Sequence, residues 1–243
     1  SNRWAEHRRD ISAIQYNADR GGDGGAATGV AFAVQNDMGF INVSKYAATQ
    51  GGGSALGSTY LRVAATPTVG GWAMVVGAGN MSGESYSAGA AAAVKTEQTF
   101  VDFQAQGEVG GKELGVYAQY AAAPAGKDGL QNAYNSTVAS AAPAGSTTND
   151  RSAISIGADY SVLPHVLSVG LAYRTADTGR TITAGNIRGA KNDAITVTAV
   201  YDLYQNVALH ANYSMYSGND TNRAAGAAVA QKNLVTLMLE AAW

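Results

Sequence analysis

Cysteine is absent, proline occurs only four times, and 14% of residues are charged, against about 25% in an average soluble domain. The lack of thiols excludes a disulfide scaffold and thiolate metal sites. The formal net charge of -2, with no basic block, leaves no surface suited to nucleic acid. Long apolar runs are missing as well. The longest, residues 71–79 and 88–94, fall far short of the roughly 18–20 residues a spanning helix needs. Ser1 opens without a signal-peptide pattern, as expected of a mature, tagged or trimmed chain.

What the chain has is glycine, 30 residues of it, and a mean hydropathy of -0.09 that sits near neutral. Neutral hydropathy with few charges suits strands that alternate apolar and polar side chains. That alternation recurs from end to end. Val207, Leu209, Ala211, Tyr213 and Met215 alternate with Ala208, His210, Asn212, Ser214 and Tyr216. Ile195, Val197, Ala199 and Tyr201 alternate with Thr196, Thr198, Val200 and Asp202. The same pattern runs through 101–106, 112–122, 154–161, 167–174 and 234–243, and less cleanly through 10–18, 26–36, 38–47, 58–66 and 71–80. These segments make about twelve strands of roughly ten residues, the length a tilted strand needs to cross a bilayer.

The connections alternate in length. Tight ones at Asn36-Asp37, Pro67–Gly70, Gly110-Gly111, Pro164-His165 and Gln205-Asn206 separate long ones at 19–25, 48–57, 81–92, 123–151, 175–192 and 217–231. Transmembrane barrels show this asymmetry, with short turns on one side and long outer loops on the other. The expected fold is all-β: a transmembrane, antiparallel, up-and-down β-barrel over 10–243, preceded by an N-terminal arm at 1–9. All four prolines fall in connections, as the missing N–H of proline requires. Aromatics near strand ends form two expected interface belts. Tyr60, Tyr120, Tyr173 and Tyr213 stand toward the loop side, and Trp72, Tyr160, Tyr201 and Trp243 toward the turn side.

The last segment, LVTLMLEAAW, resembles the C-terminal signature of bacterial outer-membrane barrels, an alternating strand ending in an aromatic residue. GADYSVLPHVLSVGLAYRTADTGR and ITVTAVYDLYQNVALHANYSMYSGND are similar to porin hairpins. General porins have more strands than fit here. The chain therefore reads either as a small complete barrel or as the C-terminal part of a larger porin, with roughly ten to sixteen strands in the second case. The resemblance implies an outer-membrane location, contact with lipid and lipopolysaccharide, and recognition of the last strand by the barrel-insertion machinery. A homo-oligomer or a periplasmic protein is a further expected partner.

In such a barrel the polar faces line the lumen. The expected pore-lining residues are Arg62, Asp102, Gln104, Gln106, Tyr117, Gln119, Asp159, Arg174, Thr196, Thr198, Asp202, His210, Asn212 and Glu240. The expected function is passive diffusion of small hydrophilic solutes or ions. Carboxylates at Asp159, Asp202 and Glu240 gather toward the turn end, which predicts a mild preference for cations. The alternative is a non-conducting barrel that clasps a periplasmic or electron-carrying partner, and a soluble β-protein is a third reading. No haem-attachment motif is present, and no cofactor is expected.

Enzymatic motifs are sparse. His210 and Ser214 share a strand face, so a Ser–His pair of the barrel-esterase type is conceivable there. The plainer reading is a polar residue in a wet lumen. His7, His165 and His210 have no metal-ligand spacing. GGDGG at 21–25 is a single fragment without the repeats a calcium-loop array requires, and GAGNMSG at 77–83 is not a dinucleotide fingerprint. The Ala-rich stretch 88–94 reads as a small-residue loop, with a short helix folded into the pore as the other option.

Overall fold

The computed structural model describes residues 28–47, 56–86, 93–127, 130, 132, 134, 150–177, 193–217 and 233–241. Thirteen strands account for nearly all of them. They are β1 (Thr28–Asn36), β2 (Gly39–Ala47), β3 (Ser58–Ala65), β4 (Thr68–Val69), β5 (Trp72–Tyr86), β6 (Ala93–Lys95) and β7 (Gln98–Val109). The rest are β8 (Lys112–Ala123), β9 (Arg151–Leu163), β10 (Leu167–Asp177), β11 (Asp193–Tyr204), β12 (Val207–Ser217) and β13 (Leu234–Ala241). The eleven longer strands follow one another across a single antiparallel meander, with the short β4 and β6 attached to β5. Eleven of the expected twelve strands are thus present, and the one expected at 10–18 lies outside the described residues. β1 and β13 are the sheet edges among the described residues.

Side chains alternate between faces along a strand, and ladder partners share a face. The register therefore assigns every residue to one of two surfaces. One surface is apolar and open: Val30, Phe32, Ile41, Val63, Val76, Val101, Ile156, Leu171, Val197, Leu209, Leu237 and Leu239 all point outward from it and are exposed. A water-soluble protein does not leave such a continuous patch of large aliphatics uncovered. The other surface carries small and polar residues, among them the buried Ser58, Ser155, Ser168, Thr196, Thr198 and Ser214. Among the described residues no helix is long and apolar enough to cross a membrane.

Tight turns close one end of the sheet. Gly70-Gly71 and Gly110-Gly111 join β4 to β5 and β7 to β8 with positive φ at both residues (58° and 83°, 63° and 74°), the backbone of a type I′ hairpin that favours glycine. At Asn36, the side-chain Oδ1 accepts hydrogen bonds from the Met38 and Gly39 N–H groups at 2.9 and 3.1 Å. His165 and Asn206 take the left-handed conformation in the β9–β10 and β11–β12 turns.

Two boundaries differ most from expectation. The turn expected at Pro67–Gly70 is a break at Thr66-Pro67, then β4, then the Gly-Gly turn. Proline has no N–H for the ladder, so it sits where pairing lapses, while its carbonyl still accepts from the Met74 N–H at 2.9 Å. β5 also runs on to Tyr86, so the first half of the loop expected at 81–92 is strand. It continues because it finds partners on both sides: Met81 pairs with Tyr60 and with Gln98, and Glu84 meets Lys95 of β6 at 3.2 Å. Ala93 and Val94, in the stretch expected as loop, belong to β6. Residues 88–92 lie outside the described residues, as do GGDGG at 21–25 and the arm at 1–9.

Candidate functional site: the polar face

The fourteen polar residues singled out in the sequence all fall on one face. The register chains them together: Arg62 aligns through Gly79 with Phe100, and Asp102 with Gln119. Gln104 aligns with Tyr117, and Tyr117 with Gly157, whose neighbour two on is Asp159. Thr198 aligns with Asn212, and Ala208 lies between Asp202 and Glu240. Gln106, Arg174, Thr196 and His210 follow by the same parity. The described belt aromatics Trp72, Tyr120, Tyr160, Tyr173, Tyr201 and Tyr213 fall on the opposite, apolar face, and Trp243 lies outside the described residues. Tyr60 does not join them. It shares the polar face with Arg62, two residues on, and its ring stacks on Phe100 at a centroid distance of 6.3 Å.

The polar face has three distinct regions. In the middle, the Arg62 Nη2 donates to Asp102 Oδ1 at 2.7 Å. The two residues come from β3 and β7, with β5 between them. They meet because β5 offers Gly77 and Gly79 at the crossing. A Cβ on Gly79 would stand 2.3 Å from Phe100 Cζ, and one on Gly77 would stand 2.8 Å from Asp102 Oδ2. The guanidinium lies over Phe40 (5.3 Å to the centroid) and near Phe100 (6.0 Å), within cation–π range of both rings. The same device recurs further on, where Gly157 seats the ring of Tyr117 and Gly115 seats the carboxylate of Asp159.

At the turn end, His210 Nε2 lies 3.1 Å from Glu240 Oε2, with His210 almost fully buried. Asp202, His165, His210 and Glu240 share a cavity of about 410 Å³. Of the three carboxylates expected to gather here, Asp202 and Glu240 do so, whereas Asp159 lies apart on its glycine. Glu108 and Glu113 face each other across the β7–β8 hairpin and add two carboxylates beyond those expected from the sequence. The conceivable Ser–His pair is not assembled: Ser214 Oγ is 2.9 Å from Thr196 Oγ1, and His210 is turned to Glu240. Among the described residues no three His, Cys, Asp or Glu side chains converge as metal ligands.

At the loop end, residues after β8 turn back over the polar face. Tyr134 is buried among Ala121, Ala123, Ala153 and Ala176, and its hydroxyl is 2.7 Å from that of Tyr46 on β2. Asn132 fastens the segment by donating to the carbonyls of Glu97 and Pro124, both at 2.8 Å, and accepting from the Glu97 and Tyr134 N–H groups at 3.2 Å. Beside it, the buried hydroxyls of Ser58, Ser85 and Thr96 bond to one another. These residues belong to the stretch 123–151, expected as an outer loop, and its described start bridges the polar face, held by a buried tyrosine and an asparagine that satisfies four backbone groups.

No family model and no curated protein matches the chain in sequence. Solved structures do match in fold. The outer membrane channel DcaP of Acinetobacter baumannii is 15% identical with a TM-score of 0.50, and the match covers 77% of this chain and 55% of that one. A porin refined at high resolution is 13% identical, with a TM-score of 0.49 over 88% of this chain and 60% of its own. The outer membrane protein OmpT of Vibrio cholerae, solved as a trimer, is 16% identical, with a TM-score of 0.43 over 93% and 65%. The chain thus spans 55 to 65% of the length of these three structures. The first likeness establishes the fold: an all-β, up-and-down antiparallel sheet of the kind that forms porin-like outer-membrane barrels.

Proposed function

We propose that this chain builds the wall of a channel in the bacterial outer membrane, through which small hydrophilic solutes or ions diffuse passively. One observation carries the reading: the register divides the sheet into a face of exposed aliphatics and a face holding every polar residue expected in a lumen. The apolar face suits acyl chains, with Tyr120, Tyr173 and Tyr213 in one tier and Trp72, Tyr160 and Tyr201 in the other at the two interfaces. The polar face suits water. The engagement of His210 by Glu240 and of Ser214 by Thr196 favours transport over hydrolysis. Carboxylates at Glu108, Glu113, Asp202 and Glu240 favour cations at the turn-side mouth. Association of copies, contact with lipopolysaccharide and recognition of the last strand by the insertion machinery belong to the same proposal.

A second reading, a barrel filled by a loop or a partner, is favoured by the Tyr134 segment that crosses the polar face. Single-channel recording in a planar bilayer separates the two. Discrete ohmic steps with a reversal potential on the cation-selective side are expected. Stable insertion without conductance would replace the channel with the filled barrel.

A further inference from the structure

The geometry points to a binding subsite for neutral, ring-shaped polyhydroxylated solutes, sugars in the pyranose form, at Arg62 and Asp102. The inference rests on the channel reading for access to that face. Its support is the chemistry gathered there. The Arg62–Asp102 pair, bonded at 2.7 Å, presents donors and acceptors side by side with no net charge. Such a pair exerts little pull on an ion and favours groups that both donate and accept, which are hydroxyls. The pair is reachable, with 29% and 21% of its side-chain surfaces open.

The neighbours extend the pattern. Asn42 aligns with Arg62, and Gln119 with Asp102, so amide, guanidinium, carboxylate and amide follow one another across the strands. The rings of Phe40, Tyr60 and Phe100 flank this row and are only partly buried. A pyranose has an apolar face of C–H groups and a rim of hydroxyls, and such a patch matches both. An open-chain polyol has the hydroxyls but no flat face. A carboxylated solute meets Asp102. The position also favours contact: Phe100 packs against the alanine cluster that holds Tyr134, so the patch lies beside the segment that crosses the face.

The ladder is built for this placement. Gly77 and Gly79 keep β5 low, so that side chains from β3 and β7 meet above it and form one surface instead of two. An alanine at either position would lift Phe100 or Asp102 off the wall. Nothing in sheet pairing alone requires two alternate glycines there.

The test compares solutes on the intact protein in a planar bilayer. Ion current is recorded while D-glucose, D-mannitol or D-glucuronate is added at matched viscosity. Saturable block by glucose is expected, with a half-blocking concentration at least tenfold below that of mannitol, and weaker block by glucuronate. Phe100→Ala and Asp102→Asn should each raise the glucose value about tenfold. Equal block by glucose and mannitol, or no saturation, overturns the subsite; stronger block by glucuronate reassigns it to anions. If the protein shows no current before any sugar is added, the channel reading has failed on its own. Saturation-transfer NMR with glucose on the protein in detergent micelles then decides the subsite: transfer to glucose and not to mannitol, lost in Phe100→Ala, sustains it, and no transfer ends it.

Discussion

Replacing Leu171 with arginine tests the assignment of faces directly. Leu171 is 57% exposed on the apolar face of β10, between Ala158 and Val197 in the register. It stands four residues from the turn-side start of its strand. At about 3.4 Å per residue and a tilt near 40°, that is a height of ~10 Å within an apolar band of about 25 Å, close to the middle. A guanidinium there costs roughly 2–4 kcal/mol in lipid, against ~0–1 near the interfaces. The expected loss is therefore about 30- to 700-fold in the folding equilibrium, at tenfold per 1.4 kcal/mol. Asn212→Arg is the control, because Asn212 lies at a similar depth on the opposite face, between Thr198 and Thr236. That charge should cost under about 1 kcal/mol, since it points into water. The assay is reversible denaturant titration of folding into lipid vesicles, read by tryptophan fluorescence and by the electrophoretic shift of the folded form. Equal costs for the two substitutions, or a cost confined to Asn212→Arg, would refute the assignment of lipid to the aliphatic face.

Other outcomes follow from the same geometry. Tyr134→Ala removes a buried ring from its alanine pocket, a loss of about 3–5 kcal/mol by the standard of large aromatic truncations. It should release the segment, so single-channel conductance rises, whereas Tyr134→Phe keeps the packing and loses the bond to Tyr46, worth about 1 kcal/mol. Gly79→Ala forces Phe100 aside and should lower vesicle-folding stability by about 1–3 kcal/mol. In a Phe100→Ala background the same change should be nearly silent, a coupling that a double-mutant cycle measures. Asp102→Asn leaves Arg62 uncompensated and should move the reversal potential toward anions, and Arg62→Gln should move it toward cations by leaving Asp102.

How much of this was legible in the sequence depends on the range over which each signal acts. The period of two is imposed by the pleat, so Ile195–Asp202 or Val207–Tyr216 shows its two faces without any knowledge of neighbours. Turn chemistry is equally local, and Gly110-Gly111 could be placed from two residues. The fate of β5 was less visible, since whether a strand continues past residue 80 is decided by partners on β3, β6 and β7, which its own alternation does not reveal. Tyr60 shows a different failure. Tyrosine favours strands on either face, and its nearness to a strand end suggested a belt. Yet it has the same parity as Arg62, which was assigned to the polar side, and parity alone settles the matter.

The site divides along the same line. Single residues of the polar face were found by alternation, but the contacts among them were not, because those depend on side chains crossing an intervening strand. Arg62 and Asp102 lie 40 residues apart, and the signal that joins them is the Gly77-x-Gly79 pair on the strand between. Alternate glycines on the polar parity of a barrel strand mark a place where the wall is low. Large side chains from both flanks can then meet across it. The same logic explains Tyr117 over Gly157 and Asp159 over Gly115. The inward segment offered a weaker cue. Asn132 and Tyr134 are unremarkable in a polar loop until Tyr46 and the small Ala121, Ala123 and Ala153 are seen to leave a socket beneath them. A row of alanines on the polar parity at the loop end, where an open pore would favour hydrophilic side chains, is the residue-level sign that something is seated there.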